Sequence, residues 1–390
     1  MGGAEMFTSN KVKYLTSQNW DVRVFFYNEG KEIKIPNLKQ YKSNYIPELI
    51  YDFYAIQKKK REEIIKKICT GIKENDYVVI ESHLLNLCFW GELIATYHPA
   101  KNILNLMEEK IRRLSPKEVH FLEYKMQRYE ILNASIDSFK RIFNSSYKNE
   151  YATFTHNYFI KPFCSNVISN ESINLDFIDN ADFTIISIGR LDKPYIMPTL
   201  KNVFKFINKY PNSSFNIIII GGSSSGNIEP LIERLFSDAK NATIYNLGYI
   251  YPIPLNLINI ADVGIAMANS VDVISQLGIP TINIDINDLL PIGIYGNTTN
   301  NKFRRKGEMS KTLIELLEDV LIYKKYPKEK VQLMDEQIEL ERVFSSQIDF
   351  LSLSLNDYAT YNVSECYPKF IYIKSQLSKF IHKNILDKLK

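Results

Sequence analysis

Cysteine is scarce in this chain, and the four present, Cys69, Cys88, Cys164 and Cys366, show neither CxxC pairing nor zinc-ligand spacing. A disulfide framework and a structural metal site are therefore not expected, and a reducing compartment suits the composition. No run of ~18 apolar residues occurs, which excludes a recognisable membrane-spanning helix. The first residues, MGGAEMFTSNKVKYL, hold no apolar stretch of signal-peptide length, so a cytoplasmic location is expected. Excess charge is also lacking: 48 Lys+Arg stand against 44 Asp+Glu, a balance that argues against a nucleic-acid partner. Glycine and proline, 15 of each in 390 residues, are too few for a collagenous or low-complexity chain. One further shortage bears on chemistry, because no glutamate occurs between Glu233 and Glu308.

At ~150 residues per domain the length suggests two domains or three. The segment Ala4 to Ser17 can form a helix, and Trp20–Phe26 alternates like a half-buried strand. Tyr77–His83 reads as a buried strand with a polar end, and Leu93–His98 as another before Pro99. Between Pro116 and Ile142, Leu122, Tyr129 and Ile136 recur at seven-residue intervals among charges, a pattern of one or two surface helices. A second block begins after the loop holding Pro162 and Cys164. Strands are expected at 182–188, 215–220, 242–245, 263–266 and 281–285, with helices between them. Ile-rich strands alternating with helices imply a parallel sheet covered on both faces. The expected division is 1–162, 163–325 and a mainly helical extension, 326–390.

The last part of that extension, Lys369–Lys390, carries six Lys against Asp387 alone, interleaved with Phe, Ile and Leu. Such a basic amphipathic segment either packs its apolar face on the protein or lies on an anionic membrane surface.

In open parallel sheets, ligands bind beyond the carboxyl ends of the strands, where loops and helix N-termini present backbone NH groups. Gly189-Arg190-Leu-Asp-Lys193, Gly221-Gly222, Gly248-Tyr249 and Gly293–Gly296 stand at such positions, and Gly2-Gly3 is placed similarly. Glycine lets a phosphate or base approach the backbone, and Arg190 and Lys193 can neutralise a diphosphate. The alternatives are plain turn geometry and a solvated Arg/Lys face.

In order, Gly2-Gly3-Ala4-Glu5, Gly189-Arg190-Leu191, Ile260-Ala261-Asp262-Val263 and Gly278-Ile279-Pro280-Thr281-Ile282 resemble the retaining, glycogen-synthase-like clan of GT-B glycosyltransferases, best over 182–300. The resemblance implies an α/β fold of two Rossmann-like parallel-sheet domains facing a cleft, with a helical C-terminal extension. It implies transfer of a sugar from a nucleotide-sugar to a glycan or lipid-linked acceptor in surface-polysaccharide synthesis, with no metal or other cofactor. By it Gly2 and Gly3 approach the donor diphosphate, with Gly3 giving a backbone NH. Arg190 and Lys193 bind the phosphates, Gly222 lines the donor site, Gly248, Tyr249 and Ile250 face the base, and His83 lies near the transferred sugar.

This sequence departs from the clan in two places. The clan's paired glutamates fall here at Ile265 and Val273. Asp272 and Ser270 are the candidates to replace some of their hydrogen bonds, and Ser275 and Gln276 lie in the following helix within reach of a ligand, although Ser270 as N-cap with Asp272 in the first helical turn reads also as helix capping. After Asp285 a long polar loop follows, in which Asp285 or Asp288, with Thr298 and Thr299, is expected to border the donor site. The other departure is at the start, where Gly2-Gly3 is not preceded by the clan's first central strand. Two further readings stay open: a catalytically silent GT-B subunit partnering an active glycosyltransferase, and a GT-B-shaped sugar-nucleotide epimerase using His83 and Asp272 as acid and base.

Overall fold

A computed structural model describes residues 3–27, 38, 40–41, 44–106, 114–158, 167–223, 226–305, 308, 310–329, 331, 335–354 and 356–366. Gly2, the Pro162/Cys164 loop and the basic segment Lys369–Lys390 lie outside the described residues. The chain divides into two compact units, one of residues 1–161 and 340–390, the other of 162–339.

Among the described residues, the first unit is built on three parallel strands, β1 (Val79–Ser82), β2 (Lys101–Asn105) and β3 (Ile131–Leu132), in the order β1-β2-β3. Helix Leu85–Ala95 crosses from β1 to β2, with Cys88, Phe89 and Trp90 buried. Leu93–His98, expected as a strand, is the end of this helix and the turn after it. The helix is buried on most sides, so its sequence carries no clean amphipathic period to separate helix from strand. Trp20–Phe26 is not a strand either. Only Phe26 pairs, as an isolated bridge to Tyr45, and Val22, Val24 and Phe26 instead pack around Val12 and Leu38. The charged stretch after Pro116 forms two helices, Pro116–Gln127 and Ile136–Phe143. Each is started by a serine capping box, Ser115 with Glu118 and Ser135 with Ser138.

Helix Gly3–Ser17 presents Phe7, Lys11 and Tyr14 on one face by its i, i+4, i+7 spacing. Phe7 and Tyr14 pack on Phe344 of the long helix Glu336–Phe350, so residues from Leu340 onward return to this unit. A buried ion network holds the segment after that helix. Lys125 pairs with Glu92 and Glu130, Arg128 with Glu130 and Asp357, and Glu92 accepts the Tyr361 backbone NH at 2.8 Å.

In the second unit, β5 (Phe183–Ile188), β6 (Phe215–Ile220), β7 (Ala242–Asn246), β9 (Val263–Ala266), β10 (Thr281–Ile284) and β11 (Pro291–Ile294) form one sheet in the order β11-β10-β9-β5-β6-β7. All neighbours are parallel except β10 and β11. A short parallel pair, β4 (Ile168–Ser169) and β8 (Ile253–Pro254), stands apart. The isoleucine runs explain the layering. Alternate residues face opposite sides, so Ile185, Ile217 and Ile219 pack under helix Ile196–Lys209, while Ile186, Ile218 and Ile220 pack against Leu257, Val271 and Ile274. Each buried isoleucine contributes about 1.5–3 kcal/mol of burial free energy.

The stretch after Asp285, expected as one long loop, contains β11 and closes a hairpin on β10. Its Pro and Gly disguise a strand: at an edge position β11 tolerates both.

Candidate functional site

The chain enters the second sheet at β5, adds β6 and β7 on one side and β9 and β10 on the other. The direction of winding therefore reverses between β5 and β9, which makes the loops after these two strands the walls of the switch-point crevice. After β5 comes Gly189-Arg190-Leu-Asp-Lys193; after β9 comes Met267-Ala268-Asn269-Ser270.

Close backbone packing shapes this end of the sheet. Leu191 NH donates to the Gly222 carbonyl at 3.2 Å and Gly221 NH to the Gly248 carbonyl at 2.7 Å, so three successive strand-end loops are tied together. Gly221 stands at φ +153°, and a Cβ there would lie 1.7 Å from the Gly189 carbonyl oxygen. Only glycine fits. A Cβ on Gly189 would lie 2.9 Å from the Tyr195 hydroxyl and 4.0 Å from Ser270 Oγ, which brings the β5 and β9 loops face to face. At Gly222 and Gly248 a Cβ would meet nothing within 4 Å among the described residues, which leaves space beside both.

Arg190 is half exposed, its Nε 3.4 Å from Asp192 Oδ1, and Tyr249 is exposed beyond Gly248. Ala268 takes φ 54°, an unfavourable conformation for a residue with a side chain, and is the N-cap of helix Asn269–Ser275. Ser270 is thus inside the helix rather than its cap, with Asp272 in the first turn and Ser275 at the far end.

Asp272 is buried and paired with Lys302, which also donates to Asn269 Oδ1 at 3.3 Å. Burial raises the Asp272 carboxyl above its ordinary value, and the Lys302 ammonium offsets part of that rise. Lys302 was not among the sequence candidates, and its place follows from the hairpin fold that the sequence conceals.

The remaining hairpin candidates are separated by β11. Asp285 and Asp288 follow β10 at its carboxyl end. Asp285 is buried and accepts the backbone NH groups of Asn287 and Arg304, while Asp288 accepts from Arg304 Nε at 2.7 Å and Leu290 NH at 2.9 Å. Thr298 and Thr299 follow β11, which runs the other way. Tyr295 NH bonds the Thr281 carbonyl, so these threonines lie toward the amino end of β10. There Thr298 Oγ1 accepts the Ile294 NH at 2.8 Å and Thr299 Oγ1 bonds Glu308 at 3.3 Å. The structure therefore gathers Arg190, Lys193, Gly222, Gly248 and Ser270 along the strand-end loops. The two aspartates and the two threonines are engaged in holding opposite ends of the hairpin.

In the first unit, Gly3 begins the N-terminal helix and His83 directly follows β1. His83 Nε2 lies 3.2 Å from Glu81 Oε1, and Glu81 is paired in turn with Lys11. Burial alone would raise the Glu81 carboxyl, but Lys11 and His83 together hold it well below the usual carboxylate range. Glu81 and Lys11 were also missed; the i, i+2 spacing of Glu81 and His83 at a strand end was the available signal. Among the described residues no group of His, Cys, Asp and Glu is placed to hold a metal ion, and no helix is long and apolar enough to cross a membrane.

No protein-family model and no curated protein matches the sequence. Solved structures do match. Anabaena HepE, solved in complex with UDP-glucose, aligns over 90% of this chain and 94% of its own, at 13% identity and a TM-score of 0.51. The fold is GT-B. The lipopolysaccharide outer core galactosyltransferase WaaB aligns over 98% of this chain and 96% of its own at 13% identity, TM-score 0.48. The UDP-GlcNAc 2-epimerase of Neisseria meningitidis, bound to UDP-GlcNAc, aligns over 88% and 97% at 14% identity, TM-score 0.45. GT-B identifies the architecture on which the strand-end loops are mounted; the chemistry must be argued from the loops themselves.

Proposed function

We propose that this chain is a glycosyltransferase that takes a nucleotide-diphosphate sugar as donor and passes the sugar, with retention, to a glycan or lipid-linked glycan in surface-polysaccharide synthesis. The observation that carries the reading is the placement of Arg190 and Lys193 on the loop after β5, at the winding reversal of a parallel sheet. A guanidinium and an ammonium there neutralise the diphosphate as it leaves, which stabilises a transition state in which the glycosidic oxygen gains negative charge. Gly222 and Gly248 admit the ligand to the backbone, and Tyr249-Ile250 borders the base. Ser270 and the Asp272–Lys302 pair supply hydrogen-bonding groups on the β9 side. His83 and Gly3 keep the roles that the resemblance gives them. HepE, which shares the fold, holds UDP-glucose, and this favours a uridine nucleotide as the first donor to try.

The acceptor and location are proposed from the composition of the last segment. Six lysines interleaved with apolar residues in Lys369–Lys390 suit a peripheral site on an anionic cytoplasmic membrane face, where a lipid-linked acceptor resides.

Turnover tests the proposal. The chain is incubated with UDP-glucose and other nucleotide-sugars, with and without lipid-linked acceptors, and free nucleoside diphosphate and product anomeric configuration are measured. Acceptor-dependent release with retention supports the reading. A second reading, the silent GT-B subunit, is favoured by one observation: Ile265 and Val273, standing at the clan's glutamate positions, are buried core residues. Nucleotide binding without turnover on any donor would select it.

A further inference from the structure

At the carboxyl ends of β1 and β2, Glu81 is the hub of a polar cluster. Its Oε1 accepts from His83 Nε2 at 3.2 Å and from Asn105 Nδ2 at 3.0 Å, and its other oxygen pairs with Lys11. The Glu81 and His83 side chains keep about a fifth of their exposure, and Asn105 is fully buried. Phe7 sets an edge against the His83 ring at 5.8 Å between centroids, one helical turn before Lys11. The ring is thus held on one side by a carboxylate and on another by an aromatic edge.

A carboxylate only accepts hydrogen bonds. Glu81 therefore requires the proton of the neutral imidazole on Nε2, and the Nδ1 lone pair is left as an acceptor. The same logic orients Asn105: its NH2 must face Glu81, and its buried Oδ1 has no donor among the described residues. The Nδ1 acceptor, on a ring that keeps about a fifth of its exposure, is complementary to a hydroxyl donor.

We infer that Glu81 is a positioning residue that fixes His83 as its Nε2–H tautomer and so presents Nδ1 to a sugar hydroxyl. The sugar rests on the function proposed above; the tautomer does not. Lys11 keeps Glu81 ionised and so keeps the arrangement in place, with Asn105 and Phe7 completing the surroundings of the pair.

The test is nitrogen NMR on the full chain labelled with [15N]histidine, whose five histidines are few enough to resolve, with His83 assigned by His83→Gln. The expected spectrum at a pH where His83 is neutral shows a protonated Nε2 and a bare Nδ1. In Glu81→Leu, and in the charge-balanced Lys11→Met/Glu81→Leu should the single variant not fold, the acceptor is gone and the two nitrogens average as the tautomers interconvert. A protonated Nδ1 in the unaltered chain, or an unchanged spectrum in the folded variant, overturns the inference. Adding UDP-glucose separates it from the functional reading. A thermal shift with movement of the Nδ1 resonance supports the hydroxyl contact, and a thermal shift with Nδ1 unmoved overturns it. Absence of any thermal shift counts against UDP-glucose as donor and leaves the tautomer to be decided by the free-chain spectra.

Discussion

The Lys302 ammonium pairs with the Asp272 carboxylate, thirty residues earlier in the chain, and joins the β10–β11 hairpin to the helix that follows β9. The pair stands on the β9 side of the sheet, where Ile265 and Val273 occupy the positions of the paired glutamates in the clan that the sequence resembles.

Removing one partner of the pair tests that link. Lys302→Met leaves a charged Asp272 in surroundings that already raise its pKa, and is expected to cost about 2 kcal/mol, less than the ~3–5 of a fully enclosed pair because Lys302 keeps a fifth of its exposure. The sign with pH follows. A carboxyl whose folded pKa is raised costs stability while ionised, and that cost disappears as pH falls through the raised value toward the unfolded one. Urea unfolding of Lys302→Met at neutral and at acid pH should show the smaller loss in acid, and Lys302→Met/Asp272→Asn should recover most of it. An equal loss at both pH values would mean that the ion pair is not what the substitution removed.

Two adjacent glycines should behave oppositely. Gly221→Ala places a methyl 1.7 Å from the Gly189 carbonyl and must displace the β5 and β6 loops, so a loss of more than about 3 kcal/mol is expected. Gly222→Ala meets nothing within 4 Å among the described residues and should change stability by less than about 0.5 kcal/mol. Because space is left beside Gly222, the same substitution should weaken nucleotide binding. Thermal denaturation with and without nucleotide measures both, and unchanged affinity in Gly222→Ala would place the ligand elsewhere.

Lys125 anchors a different part of the molecule. It is fully buried between Glu92 and Glu130, so Lys125→Met leaves two carboxylates short of charge and should cost about 3–5 kcal/mol. Glu92 also accepts the Tyr361 NH, so hydrogen exchange at that amide should accelerate. Exchange at Tyr361 no faster than in the unaltered chain would show that the returning segment is held independently of the network.

The second unit was the more legible half. Isoleucine runs broken by glycine gave the parallel strands within a residue or two, because a strand buried on both faces has one dominant signal. Legibility failed where burial or edge position removed the period. Burial on most sides hid the helix Leu85–Ala95 behind a strand-like reading of Leu93–His98, and Pro291 and Gly293 hid β11. Site residues divide the same way. Arg190, Lys193 and the glycines follow strands that announce themselves. Lys302, Lys11 and Glu81 matter only through partners far away in sequence, which a local pattern does not display. Asp285 and Thr299 look like ligand groups in sequence, yet each is buried and bonded within the hairpin.

On the proposed function, the loop after β5 binds the diphosphate of a nucleotide-sugar. The most direct measurement is the melting temperature of the full chain and of Arg190→Ala against a panel of nucleoside diphosphates and nucleotide-sugars, UDP and UDP-glucose first. A ligand at 100 times its Kd stabilises the folded state by about 2.7 kcal/mol, enough to read as a clear upward shift. Such a shift is expected with one nucleotide class, and its loss is expected in Arg190→Ala at unchanged unliganded stability. A well-folded chain that shifts with no nucleotide, or an Arg190→Ala variant that shifts as much as the original, would contradict the proposed function.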